Sequence, residues 1–325
     1  MAKRNMVEAI NRGLMEEMER DSSVMVLGED VGREGGVFRV TDGLQTKFGP
    51  KRAVDTPLAE SGIVGVALGL AVKGFRPVAE LHFMGFLPPA MDQIISHISR
   101  IRNRSRGRYT SPMVIRMPYG GGIHAPEHHS ESIEAMLAHI PGIKVVIPST
   151  PYDAKGLIVS AIRDPDPVIF CEPKRIYRAV KEEVPDGEYT VPIGEAKVVR
   201  DGDDVTVISW GAMVREALRA AEMTKDVGVN AEVIDLRTVS PLDDETILTS
   251  VRKTGRVVIV HEAVKTCGLG AEIIARINEK ALLSLEAPVE RVTGFDTVFP
   301  LHKLENHYLP GPDRILRGIR KVMAF

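Results

Sequence analysis

Asp55-Thr-Pro-Leu-Ala-Glu-Ser-Gly-Ile-Val-Gly-Val-Ala-Leu-Gly69 is the stretch on which the reading of this 325-residue chain turns. Pro57 fixes its own φ and biases Thr56 toward extended backbone, so the stretch opens on a turn. The apolar run behind it carries Gly62, Gly65 and Gly69. Glycine costs about 1 kcal/mol per helix position against alanine, so three on one helix need a reason. Spacings of three and four place them on one face, where another backbone can approach closely. Glu60 stands at the entrance to this helix. A carboxylate there is favoured by the helix dipole alone. Enclosed in an apolar pocket, it would instead be tuned for proton transfer. These residues by themselves leave both readings open.

Outward from this stretch, short apolar runs alternate with helical patterns. In the first half, strands are expected over Val24–Leu27, Ala53–Val54, Pro77–Leu81, Met113–Met117, Lys144–Ile147 and Val168–Cys171. Helices are expected over Asn5–Arg20, Pro89–Arg104, Glu131–Ala138 and Tyr152–Ile162. The charged, turn-forming stretch from Lys181 to Ile193 interrupts the alternation, as a linker does. It resumes with strands Val205–Ser209, Ala231–Ile234, Val257–Val260 and Val289–Val292. Helices Val214–Lys225, Asp244–Lys253 (capped by Asp243), Ala271–Lys280 and Asp313–Met323 accompany them. Such alternation argues for α/β architecture with parallel sheets covered on both faces. Two doubly wound domains are expected, 1–185 and 199–325, joined by a linker over 186–198.

Composition excludes several classes. The formal net charge of −2 gives no global field toward nucleic acid or a membrane. Cys171 and Cys267 form neither a C-x-x-C nor a disulfide framework, which fits a reducing compartment. The charged start does not suit a secretory signal, and no apolar run reaches membrane-spanning length.

Three motifs bear on chemistry. His124-Ala-Pro-Glu-His128 matches H-x-x-E-H, but Pro126 and the preceding Gly120-Gly-Gly122 forbid the helix that zinc ligation needs. The same glycines let backbone approach a ligand closely. The loop would then present His124, His128 and His129, which shuttle protons near neutral pH; a polar surface loop is the plainer reading. Arg100, Arg102, Arg104, Arg106 and Arg108 recur every second residue, which scatters their charge around a helix axis. A solvated or subunit-contact segment is expected there. Gly268-Leu-Gly270 lacks the third glycine and the position of a dinucleotide fingerprint. Phe86 closes the segment Leu81–Phe86 behind a strand, where it would pack in the core or stack on a heteroaromatic ring.

Asp55–Glu60, the segment to Phe86 with Met91-Asp-Gln93, and the His129-Ser130 loop occur together in one chain. With them stand Pro141–Pro148, Ala154–Leu157, Glu232–Arg237 and Leu285–Pro288. This set resembles the beta chain of the thiamin-diphosphate-dependent decarboxylase component of 2-oxo acid dehydrogenase complexes. The likeness spans nearly the whole chain. Phe170–Arg178 with Glu182-Glu-Val-Pro185 is most similar to the branched-chain 2-oxo acid members, with the pyruvate members close behind.

The resemblance implies a pyrimidine-binding domain, then a transketolase C-terminal-type domain, in an α2β2 heterotetramer whose alpha chain holds the diphosphate and magnesium. The metal motif of such sites is absent here: Gly202-Asp203-Asp204 is only a near miss. By position, Glu60 would exchange a proton with the pyrimidine ring nitrogen, and Leu58, His82 and Phe86 would surround that ring. His129 would serve acyl transfer to the lipoyl arm. Potassium would be held through Met113, Ala161, Ile162, Asp164 and Asp166, largely by backbone carbonyls. A lipoyl acyltransferase core would be met through the C-terminal domain. The compartment would be the cytoplasm, or the mitochondrial matrix for a processed eukaryotic chain. A transketolase-like half acting on sugar phosphates and a non-catalytic assembly subunit are the alternatives.

Overall fold

The structure is a computed structural model describing residues 1–325. In the first half come β1 (Ala2–Arg4), α1 (Met6–Arg20), β2 (Val24–Gly28), α2 (Leu44–Phe48), β3 (Ala53–Asp55), α3 (Glu60–Val72), β4 (Arg76–Glu80) and a short α4 (Ile101–Arg104). Next are β5 (Val114–Tyr119), α5 (Glu134–Ala138), β6 (Lys144–Val146), α6 (Pro151–Arg163), β7 (Val168–Pro173) and β8 (Glu182–Val184). The second half has β9 (Lys197–Arg200), β10 (Val205–Ser209), α7 (Met213–Met223), β11 (Ala231–Asp235), β12 (Thr238–Ser240) and α8 (Asp244–Thr254). It closes with β13 (Val257–Val260), α9 (Leu269–Ala281), β14 (Glu290–Val292), α10 (His302–Tyr308) and α11 (Pro312–Met323). No helix is long and apolar enough to cross a membrane.

Strands order as β12-β6-β7-β5-β4-β2-β3 in one sheet and β14-β13-β10-β11-β9 in the other. All pairings are parallel except β12 on β6 and β9 on β11. Every residue of β2, β5, β7, β10, β11 and β13 is buried, as strands covered on both faces must be. Successive strand residues alternate between two apolar layers, Val207 in one and Ile208 in the other, and each layer runs through both halves. Asn5 caps α1 in a reciprocal box with Glu8, and Asp243 caps α8 as expected.

Three expectations are corrected. The single helix over 89–104 is broken into short turns, with a π segment at Gln93–His97 and 3-10 turns on either side. Ser99 Oγ donates back to the Ile95 carbonyl at 3.0 Å, a contact that bends helices. The Ser99 carbonyl is also pressed by Gly142, whose Cβ would fall 2.2 Å from it. The arginines of this segment are all exposed, Arg102 among them although it pairs with Asp166 at 2.6 Å, which is the solvated arrangement.

The charged stretch after Lys181 is not a free linker. Its β8 pairs with β1, and the buried Lys155 ammonium donates to the carbonyls of Pro185 and Gly187, both at 2.8 Å. Tyr189 stacks on Tyr152 at 4.6 Å. Sequence reading saw the charges on the strap but not the lysine beneath it.

The division between halves is also less clean than expected. β12 leaves the second half and adds antiparallel to β6 of the first sheet, pairing Thr238 with Val146.

Candidate active site

The loops at the C-terminal ends of β3, β4 and β5 hold Leu58, Glu60, His82, Phe86 and His129, as open parallel sheets require, whereas Met113, Ala161, Ile162, Asp164 and Asp166 lie before β5 and β7, at the opposite ends. Beneath the loops Arg116 of β5, fully buried, binds Glu172 of β7 through Nε at 2.6 Å and Nη2 at 2.8 Å. It also pairs with Glu80 of β4, and Tyr177 donates its hydroxyl to Glu172. A buried charge persists only when so paired. The ion network therefore fixes three neighbouring strands at the ends where the loops begin.

Glu60 is the first residue of α3, where the dipole favours a carboxylate. Asp55 just before it accepts from the backbone N–H of Gly32 at 2.6 Å and of Arg33 at 3.1 Å, so it anchors the glycine-rich loop after β2. Glu60 is half-buried, and this chain alone does not enclose it in an apolar pocket. Leu58 beside it is 67% exposed. The glycine face of α3 meets no other backbone: Gly62 and Gly69 are exposed, nothing lies within 4 Å of a Cβ at Gly69, and Gly65 meets only the Gln93 side chain. The stripe that suggested close approach is thus open to solvent within this chain.

Phe86 and His129 are brought together, their ring centroids 5.1 Å apart at 78°. Phe83, absent from the expected set, stands edge-on to both, 4.5 Å from His129 and 5.6 Å from Phe86. His128 tilts on Phe86 at 5.1 Å. His82 is turned to Glu29, with Nε2 3.0 Å from its carbonyl and Nδ1 3.3 Å from its carboxylate. Glu29, Asp30 and His82 could group around a metal ion, but both His82 nitrogens already face Glu29.

The glycine-rich loop before the histidines serves the second half. A Cβ at Gly120 would fall 2.6 Å from the Glu262 carboxylate, one at Gly121 2.2 Å from Phe299, and one at Gly122 2.5 Å from Arg175. Glu262 accepts from the Gly121 N–H at 2.8 Å. Glu305 accepts from the N–H groups of Gly122 and His124, the latter at 2.9 Å. The glycines therefore admit carboxylates and a ring of this chain where a ligand was expected. The H-x-x-E-H motif lies in this loop and a 3-10 turn at Glu127–His129, and His124 Nδ1 is 2.6 Å from Glu305, so zinc ligation is excluded by geometry.

Electrostatics follow burial. Burial lowers the His129 pKa, with His128 and Lys174 adding to the effect. Lys174, at the end of β7, is buried with Nζ unpartnered, and burial pushes it down to about 8 against the pull of Glu262 and Glu305. Burial also raises Glu262, and raises Glu134 to about 7. Lys174 lies inside the Phe170–Arg178 motif, so a buried lysine after an apolar strand was its only sequence signal. Glu262 and Glu305 left none, because their partners are backbone groups in the other half.

The expected potassium ligands converge around the end of α6. Met113 O accepts from the Val168 N–H at 3.0 Å. Arg76 donates to Ile162 O at 2.7 Å and Asp164 O at 3.2 Å. The Asp164 and Asp166 side chains pair with Lys144 and Arg102. Spare lone pairs remain on these carbonyls, with cationic side chains already close by.

The donor set fits the pyrimidine half of a thiamin diphosphate site: a carboxylate at a helix entrance and an aromatic wall.

Comparison with known proteins identifies the family. The chain matches the family described as "Transketolase, pyrimidine binding domain" over residues 2–180 and "Transketolase, C-terminal domain" over residues 194–315. A pyruvate dehydrogenase E1 component subunit beta of Acholeplasma laidlawii is 55% identical over 322 residues, covering 99% of this chain and 98% of that one. Its counterpart of the same description in Bacillus subtilis (strain 168) is 54% identical over 325 residues, with both chains fully covered. Among solved structures, one described as "Split gene transketolase, inactive beta4 tetramer" superposes with a TM-score of 0.81 at 24% identity over 99% of each chain, a likeness of fold. These relatives bear the pyruvate name, which agrees with the pyruvate side of the expected substrate range and gives the branched-chain side no support. On the strength of full-length identity above one half and both domain matches, this chain belongs to the family of pyruvate dehydrogenase E1 component beta subunits.

Proposed function

We propose that this chain forms the pyrimidine half of a thiamin diphosphate site shared with an alpha chain in an α2β2 heterotetramer. There it takes part in oxidative decarboxylation of pyruvate and reductive acylation of a lipoyl group. The observation that carries the reading is a half-site with an open rim. Glu60 and the Phe86–His129 cluster occupy the loop end of the first sheet, while Leu58, Gly62, Val66 and Gly69 are exposed next to Glu60 in sequence. Apolar surface beside a half-buried carboxylate calls for a covering chain.

Thiamin diphosphate, when bound, supplies the electron sink for loss of carbon dioxide. Glu60 would hold and exchange a proton at the pyrimidine ring nitrogen. Leu58 and Phe86 would line the apolar faces of that ring, with His82 at its edge where Glu29 holds it. His129 would serve acyl transfer to a dithiolane sulfur of the lipoyl arm. Magnesium would belong to the alpha chain. Potassium would sit on the carbonyls of Met113, Ala161, Ile162, Asp164 and Asp166, sharing two with Arg76. A melting temperature equal in potassium and sodium chloride of the same ionic strength would remove it. The second domain, with exposed Val298, Leu301 and Leu304, would face the acyltransferase core. Bacterial relatives support the cytoplasm as the place of work.

The test is turnover by the purified alpha–beta pair with a lipoyl domain as acceptor, comparing pyruvate with branched 2-oxo acids. Preference for pyruvate is expected. Preference for the branched acids would overturn the substrate, and no turnover with any 2-oxo acid would overturn the function.

A further inference from the structure

A working imidazole is usually oriented by a carboxylate or carbonyl that accepts from its second ring nitrogen. His129 lacks that device. Its Nδ1 is buried and has no hydrogen-bond partner. Rings hold it instead: Phe83 lies 4.5 Å away at 65° and Phe86 5.1 Å away at 78°, both edge-on.

Phe83 is itself fixed from behind. It is 8% exposed and meets Phe38 edge-on at 5.8 Å. Phe38, from the glycine-rich loop after β2, tilts on Tyr177 at 5.1 Å. Tyr177 donates to Glu172, which binds Arg116. A continuous path of packed rings thus runs from the ion network of the sheet to the loop histidine. Edge-to-face pairs of this kind add to the stabilisation from area burial and together select one ring orientation.

We propose that Phe83 is the positioning residue of His129, walling off Nδ1 so that the imidazole carries its single proton on Nε2. The inference rests on the acyl-transfer reading of His129. Its physical basis is the unpartnered nitrogen: a proton on Nδ1 would be a buried donor without an acceptor, which is costly. The charged groups facing the ring are His128 and Lys174, which also disfavour a second proton, and Glu127, which favours one. Nε2–H is then the donor that holds the developing thiolate by a hydrogen bond, and water supplies the proton that the sulfur finally takes, so the ring stays neutral. The carbon left by decarboxylation bonds to one dithiolane sulfur as the sulfur–sulfur bond breaks, its electron pair going to the other sulfur, which takes a proton from water. The acyl group is then freed as its bond to the cofactor breaks, with the pair returning to the cofactor and the hydroxyl proton going to water.

The experiment uses the reconstituted alpha–beta complex with histidine-labelled beta chain. Nitrogen NMR of His129 in the unmodified complex is expected to show the Nε2–H tautomer and a titration midpoint below 6.5; the Nδ1–H tautomer would overturn the proposal without any variant. Phe83→Ala, which wets Nδ1, should raise that midpoint toward 6.5. It should cut lipoyl acylation on the order of 10²-fold, the scale of a misplaced reacting group, and cut decarboxylation followed with an artificial acceptor less. Phe83→Leu keeps the apolar wall, and should hold the midpoint low and recover much of the lost acylation. An unmoved midpoint in Phe83→Ala, or equal damage from both variants, overturns the proposal. His129→Ala separates the two readings. Normal acylation in that variant defeats the role of His129 itself, whereas its loss alongside a normal Phe83→Ala defeats only the role of Phe83.

Discussion

Glu305 of the second half takes hold of His124 in the first at two points, accepting from its backbone N–H at 2.9 Å and lying 2.6 Å from its Nδ1. His124 has a positive φ of 59°, so the contact fixes a backbone state that a non-glycine residue rarely keeps unaided. The histidine loop is thereby clasped by a carboxylate distant in sequence. Glu305→Ala should destabilise the chain by about 3 kcal/mol, the scale of one or two charge-assisted hydrogen bonds. Hydrogen exchange should quicken at the amides of Gly122 and His124. Unchanged protection there would show that the loop is held by other means.

Gly121→Ala tests the same clasp from the loop side. Its Cβ would fall 2.2 Å from Phe299, so ring or loop must move. Overpacking of this kind costs about 1–3 kcal/mol. Thermal unfolding should fall accordingly, and lipoyl acylation with it. A melting temperature equal to wild type would mean that Phe299 swings away freely.

Glu60→Gln keeps the shape of the side chain but cannot exchange a proton. Deuterium exchange at the thiazolium carbon of bound cofactor should slow by about 10²–10⁴, the range of general acid–base catalysis. Co-purification with the alpha chain should persist. An unchanged exchange rate would return Glu60 to a helix-start acid.

Cofactor affinity should depend on the partner. The isolated beta chain should bind thiamin diphosphate weakly or not at all, since the proposed function puts the diphosphate and metal anchor on the alpha chain. Micromolar, magnesium-dependent binding by calorimetry to this chain alone would contradict that.

Buried acids set a pH dependence of known sign. Glu134, buried against Trp210, is raised from 4.5 to about 7 chiefly by burial. The folded state therefore prefers it protonated. Its contribution is fully present below pH 4.5, where both states are protonated, and is lost as pH rises toward about 7 while the unfolded chain ionises. The window corresponds to at most about 3 kcal/mol. Glu134→Gln should leave stability at pH 4 unchanged and raise it at pH 8, read by denaturant unfolding. Equal stabilities at pH 8 would place a proton-independent contact there instead. Asp235, raised to about 7 mainly by burial, acts in the same direction.

The sequence carried what depends on local chemistry. The cap at Asp243 and the strand runs are read from residue type and spacing, whereas roles for Glu60, Phe86 and His129 come only with the family resemblance. What it hid depends on contacts between distant segments. Glycines 120–122 look alike whether they admit a ligand or Glu262 and Phe299. Phe83 reads as one more core aromatic until His129 is seen on its edge. The helix over 89–104 has ordinary helical composition, and only Ser99 and Gly142 reveal why it breaks. The openness of Gly62 and Gly69 is a statement about a missing neighbour, which no property of α3 itself encodes.

β12 makes this chain hard to cut and hard to recombine. A fragment ending before residue 199 would strip β6 of its Thr238–Ser240 neighbour and bare the hydrogen-bonding edge of a strand whose Val145 and Val146 are fully buried. Such an edge is a template for pairing with other copies. Chimeras between relatives, joined at the apparent boundary, would carry one parent's β12 against the other parent's β6. A viable junction lies past Ser240, inside what looks from the sequence like the second domain.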